Sequence, residues 1–413
     1  MTPIARRRLT LLTYAIALAG ILVATLRPAA ATAFQGWSLC IYCPDGGVSE
    51  AVQNLLLFVP FGMAARFGSV GPGVAVFLGL ALSLVVECAQ MFIPGRDPNL
   101  GDMVFNTSGT AVGWVLGAWA HALVRGAAHP RRHAWLAAAG TTAALAGCAW
   151  LLQPALADPP YRVQQWSDYR GAVLQAHLGD LELRSGDLPG SAAVALAARA
   201  TLQVRAVIDT AVRGPYWLRL RDARHREVIA VRQSAGDVLV RYRTAAAALS
   251  LENTELVARG ALAAYAPGDT VDVRITRDGL RHCAVIDGAA TCGFGPTLGH
   301  SWAVVESPRS WPPWAYTLAD AAWLGLLFVP VGLSLRRHGL ALAAAGAALA
   351  GLWIVPRLFT LEATRLTDLA GAAAGVALAA VISRAIRGEP GEANRSRRQG
   401  GGFGARVSAR FSR

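Results

Sequence analysis

The stretch that decides the fold is residues 54–113, and it alternates apolar runs with a few polar residues. It reads Asn54-Leu-Leu-Leu-Phe-Val-Pro60-Phe-Gly62, an apolar run ending Glu87-Cys-Ala-Gln90, then Pro94-Gly-Arg96-Asp-Pro-Asn-Leu-Gly-Asp102, Asn106-Thr-Ser-Gly109 and Gly113. A charged or amide side chain inside a membrane span is costly because the bilayer does not solvate it, so each is by default a candidate functional residue. The stretch predicts membrane helices with a polar site among them.

The composition supports a membrane protein. The chain has 413 residues, of which 54% are hydrophobic and only 16% are charged. This is too apolar for an ordinary soluble protein and fits several membrane spans with a soluble part. The net charge is +13, and all 39 basic residues are Arg. Because these residues cluster at the ends of apolar runs, the charge indicates membrane topology, and no nucleic-acid partner is expected.

The order of motifs in the opening stretch resembles the VanZ-like family of bacterial membrane proteins. The shared features are Asn54 before Phe-x-Pro-x-Gly, Glu87-x-x-Gln90, Arg96 before Asp102, and Asn106-x-x-Gly109. The resemblance covers about residues 9–125. It implies glycopeptide tolerance and work in the cell envelope, and it does not imply a particular reaction.

Eight apolar runs predict about eight transmembrane helices. They lie at about 9–26, 51–67, 72–92, 102–123, 134–152, 316–335, 339–356 and 367–383. The first run follows Arg6–Arg8 and has two interpretations: a signal peptide with an Ala31-Thr-Ala33 cleavage site, or an uncleaved helix. The VanZ-like resemblance includes this run, which favours the uncleaved helix.

Residues 155–312 differ from the rest of the chain because charges return and residues alternate in polarity. Val271–Thr276 has a period of two, and Arg277-Asp278-Gly279 follows it as a hairpin-turn signal. Other strand-like runs are 216–220, 227–232 and 238–242. Short strands separated by turn residues predict a β-sandwich. Their order resembles a laminin-G or concanavalin-A-like jelly roll.

The second half of the chain repeats the first. Phe58-Val-Pro60-Phe-Gly62 returns as Phe328-Val-Pro330-Val-Gly332, Asp102 with Gly109 returns as Asp368 with Gly375, and Glu50 is echoed by Asp320. The repeat implies a duplicated four-helix unit. The second copy has Leu324, Trp353, Pro356 and Glu362 where the first has Asn54, Glu87, Gln90 and Arg96, so we expect it to be a scaffold.

These observations divide the chain into five parts. They are a VanZ-like unit at 1–133, a fifth helix at 134–154, a β-sandwich at 155–312, helices six to eight at 313–384 as a degenerate second unit, and a disordered basic tail at 385–413. The Arg distribution predicts a multi-pass protein of the bacterial cytoplasmic membrane with both termini inside and the β-sandwich outside.

The polar residues of the first unit are expected to converge near the outer leaflet. Glu87 and Gln90 share one helix face, and Asp102 and Asn106 share another. The candidate pocket comprises Asn54, Glu87, Gln90, Arg96, Asp102 and Asn106. In a purely structural role, Arg96 pairs with Glu87 or Asp102, the amides bond between helices, and Asp102 caps its helix. In a functional role, Glu87 acts as an acid or base and Arg96 holds a phosphate or carboxylate.

The cysteines predict disulfides in an exported region. Cys40 and Cys43 form a C-x-x-C pair, for which a short-loop disulfide is favoured over a redox motif, and Cys283 is expected to bond Cys292 across a hairpin. No second pair with zinc spacing follows, so neither a metal nor another cofactor is predicted.

Three functional classes fit the sequence. The first is an envelope protein that contacts membrane lipids and binds or handles a glycan or lipid-linked precursor, in glycopeptide tolerance or exopolysaccharide work. The second is a non-catalytic glycan-binding sensor or scaffold. The third is a transporter, which the lack of a run of charges through the spans disfavours. The sequence has no nucleophile motif and no phosphate loop, so it gives no positive evidence for an enzyme.

Overall fold

The computed structural model describes residues 3–28, 36–41, 47–125, 130–155, 159–164, 172–210, 216–306, 311–335 and 339–387. Within these ranges, each of the eight predicted apolar runs is helical. The long helices are α1 (Pro3–Thr25), α2 (Gly47–Phe67), α3 (Pro72–Gln90), α4 (Leu100–Arg125), α5 (Pro130–Leu151), α8 (Pro313–Ser334), α9 (Gly339–Leu358) and α10 (Leu366–Arg387). The short helices α6 (Ser191–Ala197) and α7 (Ala245–Ala248) lie between α5 and α8.

Five described helices are long and apolar enough to cross a membrane. They are Gly47–Phe67, Pro72–Gln90, Arg131–Leu151, Pro313–Ser334 and Leu366–Arg384, and the segments Thr10–Thr25 and Leu342–Leu358 are shorter apolar helices. Helix α4 carries Asp102, Asn106 and several hydroxyl side chains, which reduce its apolar character. The chain is therefore a multi-pass membrane protein by length and composition.

The region between α5 and α8 contains two antiparallel six-stranded sheets. The strands are β1 (Arg162–Gln164), β2 (Val173–Leu178), β3 (Leu181–Glu182), β4 (Gly186–Asp187), β5 (Leu202–Val207), β6 (Tyr216–Arg221), β7 (Glu227–Ser234), β8 (Asp237–Tyr242), β9 (Leu256–Ala258), β10 (Thr270–Asp278), β11 (Arg281–Ile286) and β12 (Ala289–Cys292). One sheet has the order β4-β1-β6-β7-β8-β9 and the other β12-β11-β10-β5-β2-β3. Buried side chains of both sheets form one core. We call this part the β domain.

The predicted hairpin after Val271–Thr276 is present, but its turn is shorter than expected. Strand β10 continues through Asp278, which pairs with Arg281 of β11. Gly279 occupies the turn with φ +61°, a conformation that glycine adopts without steric cost. Arg277 is therefore a strand residue and not a turn residue.

The two helical units pack their helices through equivalent glycines. In the first unit, a Cβ on Gly109 would lie 2.1 Å from the Leu55 carbonyl oxygen, and one on Gly62 would lie 2.0 Å from the Thr110 carbonyl oxygen. In the second unit, a Cβ on Gly375 would lie 2.1 Å from the Gly325 carbonyl oxygen, and one on Gly332 would lie 2.4 Å from that of Val376. Glycine permits this close contact of α2 with α4 and of α8 with α10.

Several expectations fall outside the described residues. They concern the Ala31-Thr-Ala33 cleavage site, Cys43 and the basic tail from residue 388 onward. Cys40 is disulfide-bonded. In the β domain, Cys283 and Cys292 pair directly across β11 and β12 and form a disulfide bond, with their Cα atoms 4.0 Å apart.

Candidate functional site

The N-terminal parts of α2 and α4 are joined by two polar side chains. Asn54 lies two turns into α2, and Asp102 lies in the first turn of α4. The Asn54 amide donates from Nδ2 to Asp102 Oδ1 over 2.7 Å. The expected capping role belongs to a neighbour of Asp102, because the Asn99 side chain accepts from the Gly101 backbone N–H at 2.9 Å. The Asp102 carboxylate does not cap α4 and instead accepts the hydrogen bond from Asn54, which links α4 to α2.

Glu87 is a carboxylate enclosed by the helices, with 1% of its surface exposed. Its Oε2 accepts a hydrogen bond from the backbone N–H of Asn99 at 2.9 Å. Glu87 also lies close enough to Asp102 for the two carboxylates to repel each other. Such a group is costly among apolar helices, because one backbone donor replaces only part of its hydration.

One helical turn from Glu87 and Asp102, an amide–hydroxyl contact links α3 and α4. Asn106 Nδ2 donates to Ser83 Oγ over 3.0 Å, and both side chains are buried. The Oδ1 atom of Asn106 is buried without a hydrogen-bond partner among the described residues. The structure therefore places an unused acceptor below the Glu87 and Asp102 carboxylates.

Gln90 and Arg96 form their hydrogen bonds with the C-terminal end of α1 and not with this group. Gln90 Nε2 donates to the Thr25 carbonyl at 3.1 Å. Arg96 donates from Nε to the Arg27 carbonyl at 3.1 Å and from Nη2 to that of Ala24 at 3.3 Å. These donors satisfy carbonyls that have no partner within the helix.

Of the six residues expected to converge, Gln90 and Arg96 bond to backbone carbonyls at the end of α1 instead. Arg96 forms no ion pair within the described ranges, although pairing with Glu87 or Asp102 was expected as its structural role. The structure brings together Asn54, Glu87, Asp102 and Asn106. We call these four residues the acidic pocket. The charges of both Glu50 and Arg96 also act on Asp102, so three carboxylates share one guanidinium there.

The second unit contains a polar cluster that sequence reasoning missed. Asp320 of α8 is 1% exposed, and its Oδ1 accepts from Trp302 Nε1 at 2.7 Å and contacts His300 Nδ1 at 3.1 Å. Arg365 approaches the other oxygen at 3.6 Å. The repeat signal pairs Asp320 with Glu50 and would have drawn attention to it. Its hydrogen-bond partners, Trp302 and His300, come from the β domain, whose position beside α8 the helical repeat does not predict.

Residues 11–121 match the family model VanZ/LLP1. The chain carries a VanZ-like domain. This domain spans α1 to nearly the end of α4, so it includes the acidic pocket and the α1 contacts of Gln90 and Arg96. The β domain and the second helical unit lie outside the matched residues. No curated protein and no solved structure matches the chain significantly.

Proposed function

We propose that this protein works in the bacterial cell envelope, where the acidic pocket of its VanZ-like domain binds an envelope glycan or a lipid-linked glycan precursor. The observation that carries the proposal is the Glu87 carboxylate, which is enclosed by apolar helices and receives one backbone hydrogen bond. The free acceptor of Asn106 lies one turn below it. Carboxylate and amide acceptors suit a ligand rich in hydroxyl or amine donors, as sugars are.

We infer the arrangement in the membrane from the Arg distribution. In this proposal all eight long helices cross the cytoplasmic membrane, both termini are cytoplasmic, and the β domain is exported. The Cys283–Cys292 disulfide supports export, because disulfides persist in oxidising compartments. We further propose that the β domain is a laminin-G or concanavalin-A-like jelly roll. Its two antiparallel sheets with a shared core agree with that architecture.

The test compares what the purified protein carries with and without the Glu87 charge. Wild type, Glu87→Gln and the control Cys88→Ser are purified in parallel, and co-purified lipids and glycans are identified by mass spectrometry. Cys88 is exposed on the same helix, so its change leaves the pocket intact. We expect wild type and Cys88→Ser to retain a lipid-linked or free glycan, and Glu87→Gln to lose most of it.

Thermal unfolding in detergent separates binding from folding. Gln keeps the size of Glu and the ability to accept from the Asn99 N–H, so Glu87→Gln should unfold within a few degrees of wild type. Equal ligand content in all three proteins would contradict the proposal. A large loss of stability in Glu87→Gln would instead favour the scaffold role, in which the pocket only holds helices together.

A further inference from the structure

The core of the β domain is apolar along most of its length but polar at one end. On β10, Val271, Val273 and Ile275 point between the sheets and are buried. Arg277 is the next residue in this register, because side chains alternate between the two faces of a strand. A guanidinium therefore occupies a position where the pattern calls for an apolar side chain.

The strands beside and opposite β10 carry polar residues at the same end. On β11, Ile286, Ala284 and His282 lie on the inward face, and His282 is the residue that pairs directly with Arg277. On β8, the inward row ends at Tyr242, whose ring stacks on the imidazole of His282 with 5.4 Å between centroids. Three polar side chains thus meet where the two sheets end.

These residues line a cavity of about 50 Å³. Arg199 and Arg243 add two further guanidinium groups to its wall. The apolar part of the wall includes Leu178, Leu196, Leu202, Val228, Val240 and Ile275. The volume corresponds to a few water-sized sites, since one water needs roughly 10–15 Å³ by this measure. The cavity therefore has room for a compact head group and a few carbons.

The positive charge in this cavity is not balanced. Arg243 lies 3.8 Å from Asp222, and Arg199 lies 3.8 Å from the exposed Asp278. Arg277 has no ion pair and no hydrogen bond with any residue in the described part of the chain; its nearest aromatic contact is Tyr242, with 5.9 Å between the guanidinium and the ring centroid. Burial lowers the pKa of the Arg277 guanidinium, and the charge of Arg199 lowers it further. An uncompensated guanidinium beside apolar walls is costly unless an anion joins it.

His282 does not supply that anion or add another charge. Its Nδ1 lies 2.8 Å from the Leu280 carbonyl and donates to it, which leaves Nε2 as an acceptor in the neutral ring. Burial lowers the pKa of His282 to about 4, so the ring is neutral at pH 7. The fixed charge that faces the cavity is therefore that of the arginines.

The cavity lies at the end of the β domain that contacts the helices. Pro154, three residues beyond the end of α5, forms part of its wall. The turn after Arg277 packs on the segment between α9 and α10, where the Leu280 N–H donates to the Thr360 carbonyl at 3.1 Å. The cavity thus lies beside the C-terminal ends of the apolar helices α5 and α9.

We propose that this cavity binds the oxyanion head of a small amphiphilic acid, a carboxylate or phosphate on a hydrocarbon chain. The planar fork of Arg277 holds two oxygens of the anion, and the leucine and valine wall takes the first carbons of the chain. Binding here is separate from the acidic pocket, which has the opposite charge and lies in the VanZ-like domain.

The test uses the full chain in nanodiscs of zwitterionic lipid and three probes of equal chain length. Hexanoate, hexyl phosphate and hexanol are titrated by calorimetry, and the two acids distinguish carboxylate from phosphate. The variants are Arg277→Gln and the control Arg274→Gln, which changes an exposed, outward-facing residue of the same strand. We expect saturable binding of at least one acid, weaker binding of hexanol, and about a tenfold loss of acid affinity in Arg277→Gln only.

A second readout separates a binding residue from a structural one. Because Arg277 is an unpaired charge, Arg277→Gln without ligand should unfold at a higher temperature than wild type, whereas loss of a structural anchor would lower it. Equal binding of hexanol and the acids, unchanged affinity in Arg277→Gln, an equal loss in Arg274→Gln, or no saturable binding of either acid would each overturn the proposal.

Discussion

At the scale of single residues, His282 is a buried histidine whose protonation the fold opposes. Its pKa is about 4 in the folded protein, because of burial, against 6.5 in the unfolded chain. Between these values the unfolded state binds more protons than the folded one, so stability falls as pH falls from about 6.5 to about 4. The full loss is on the order of 3 kcal/mol.

We therefore expect His282→Phe to unfold with a weaker pH dependence than wild type. Thermal unfolding followed by circular dichroism at pH 7 and pH 4.5 measures the difference, and the comparison with wild type cancels the carboxylates that titrate in both proteins. His177→Gln, on the outward side of β2, is the control and should keep the wild-type dependence. An identical pH dependence in His282→Phe and wild type would contradict the assignment.

The sequence located some site residues and not others, for a physical reason. Glu87 and Asp102 lie on regular helices, where the residue spacing gives both face and depth. Arg96 lies in a loop, whose path no periodicity describes, and its guanidinium reached the end of α1 instead of a carboxylate. Arg277 was assigned to a turn because an Asp-Gly pair follows it, yet the strand register continued for two more residues.

At the scale of elements, the contact between α2 and α4 depends on glycines that no apolar residue can replace without a shift of backbone. A Cβ on Gly109 would lie 2.1 Å from the Leu55 carbonyl oxygen, whereas one on Gly147 of α5 meets no atom within 4 Å. We expect Gly109→Ala to destabilise the protein by roughly 1–3 kcal/mol, the usual range for overpacking. Gly147→Ala should be neutral or stabilising by up to about 1 kcal/mol, because Ala favours helix.

Unfolding of both variants in detergent tests this difference, and Gly375→Ala extends it to the second unit. A Cβ on Gly375 would lie at the same 2.1 Å from the Gly325 carbonyl oxygen, so a loss of stability similar to that of Gly109→Ala is expected. A neutral Gly375→Ala beside a destabilising Gly109→Ala would show that the two helix pairs are not energetically equivalent. The glycine spacing was visible in the sequence, but the carbonyl that each glycine meets was not, since it depends on how two distant helices cross.

At the scale of the whole molecule, one short segment of the β domain contacts both helical units. This segment is the 3-10 helix Gly299–Val304 with Val305. Gln53 of α2 donates from Nε2 to the Val305 carbonyl at 2.6 Å, and Trp302 donates to Asp320 of α8 at 2.7 Å. The sequence predicted the sandwich and the helices separately. It did not predict this junction, because the contacts join helix residues to residues of the β domain. Helical periodicity and strand alternation each describe only their own part of the chain.

Asp320 should therefore control how firmly the β domain is held. Asp320→Ala leaves the indole N–H of Trp302 and the imidazole of His300, both half-buried, without their shared acceptor. A donor left without a partner costs at most roughly 1–3 kcal/mol, and less where water reaches it. We expect hydrogen exchange of the amides in 299–305 to rise at least tenfold, while the strands of both sheets exchange as in wild type. Thr317→Ala, an exposed change on the same helix, is the control and should leave exchange unaltered. Unchanged exchange in 299–305, or an equal rise throughout the β domain, would mean that Asp320 does not anchor this junction and that the two parts are held by the apolar contacts of α5 and α8 instead.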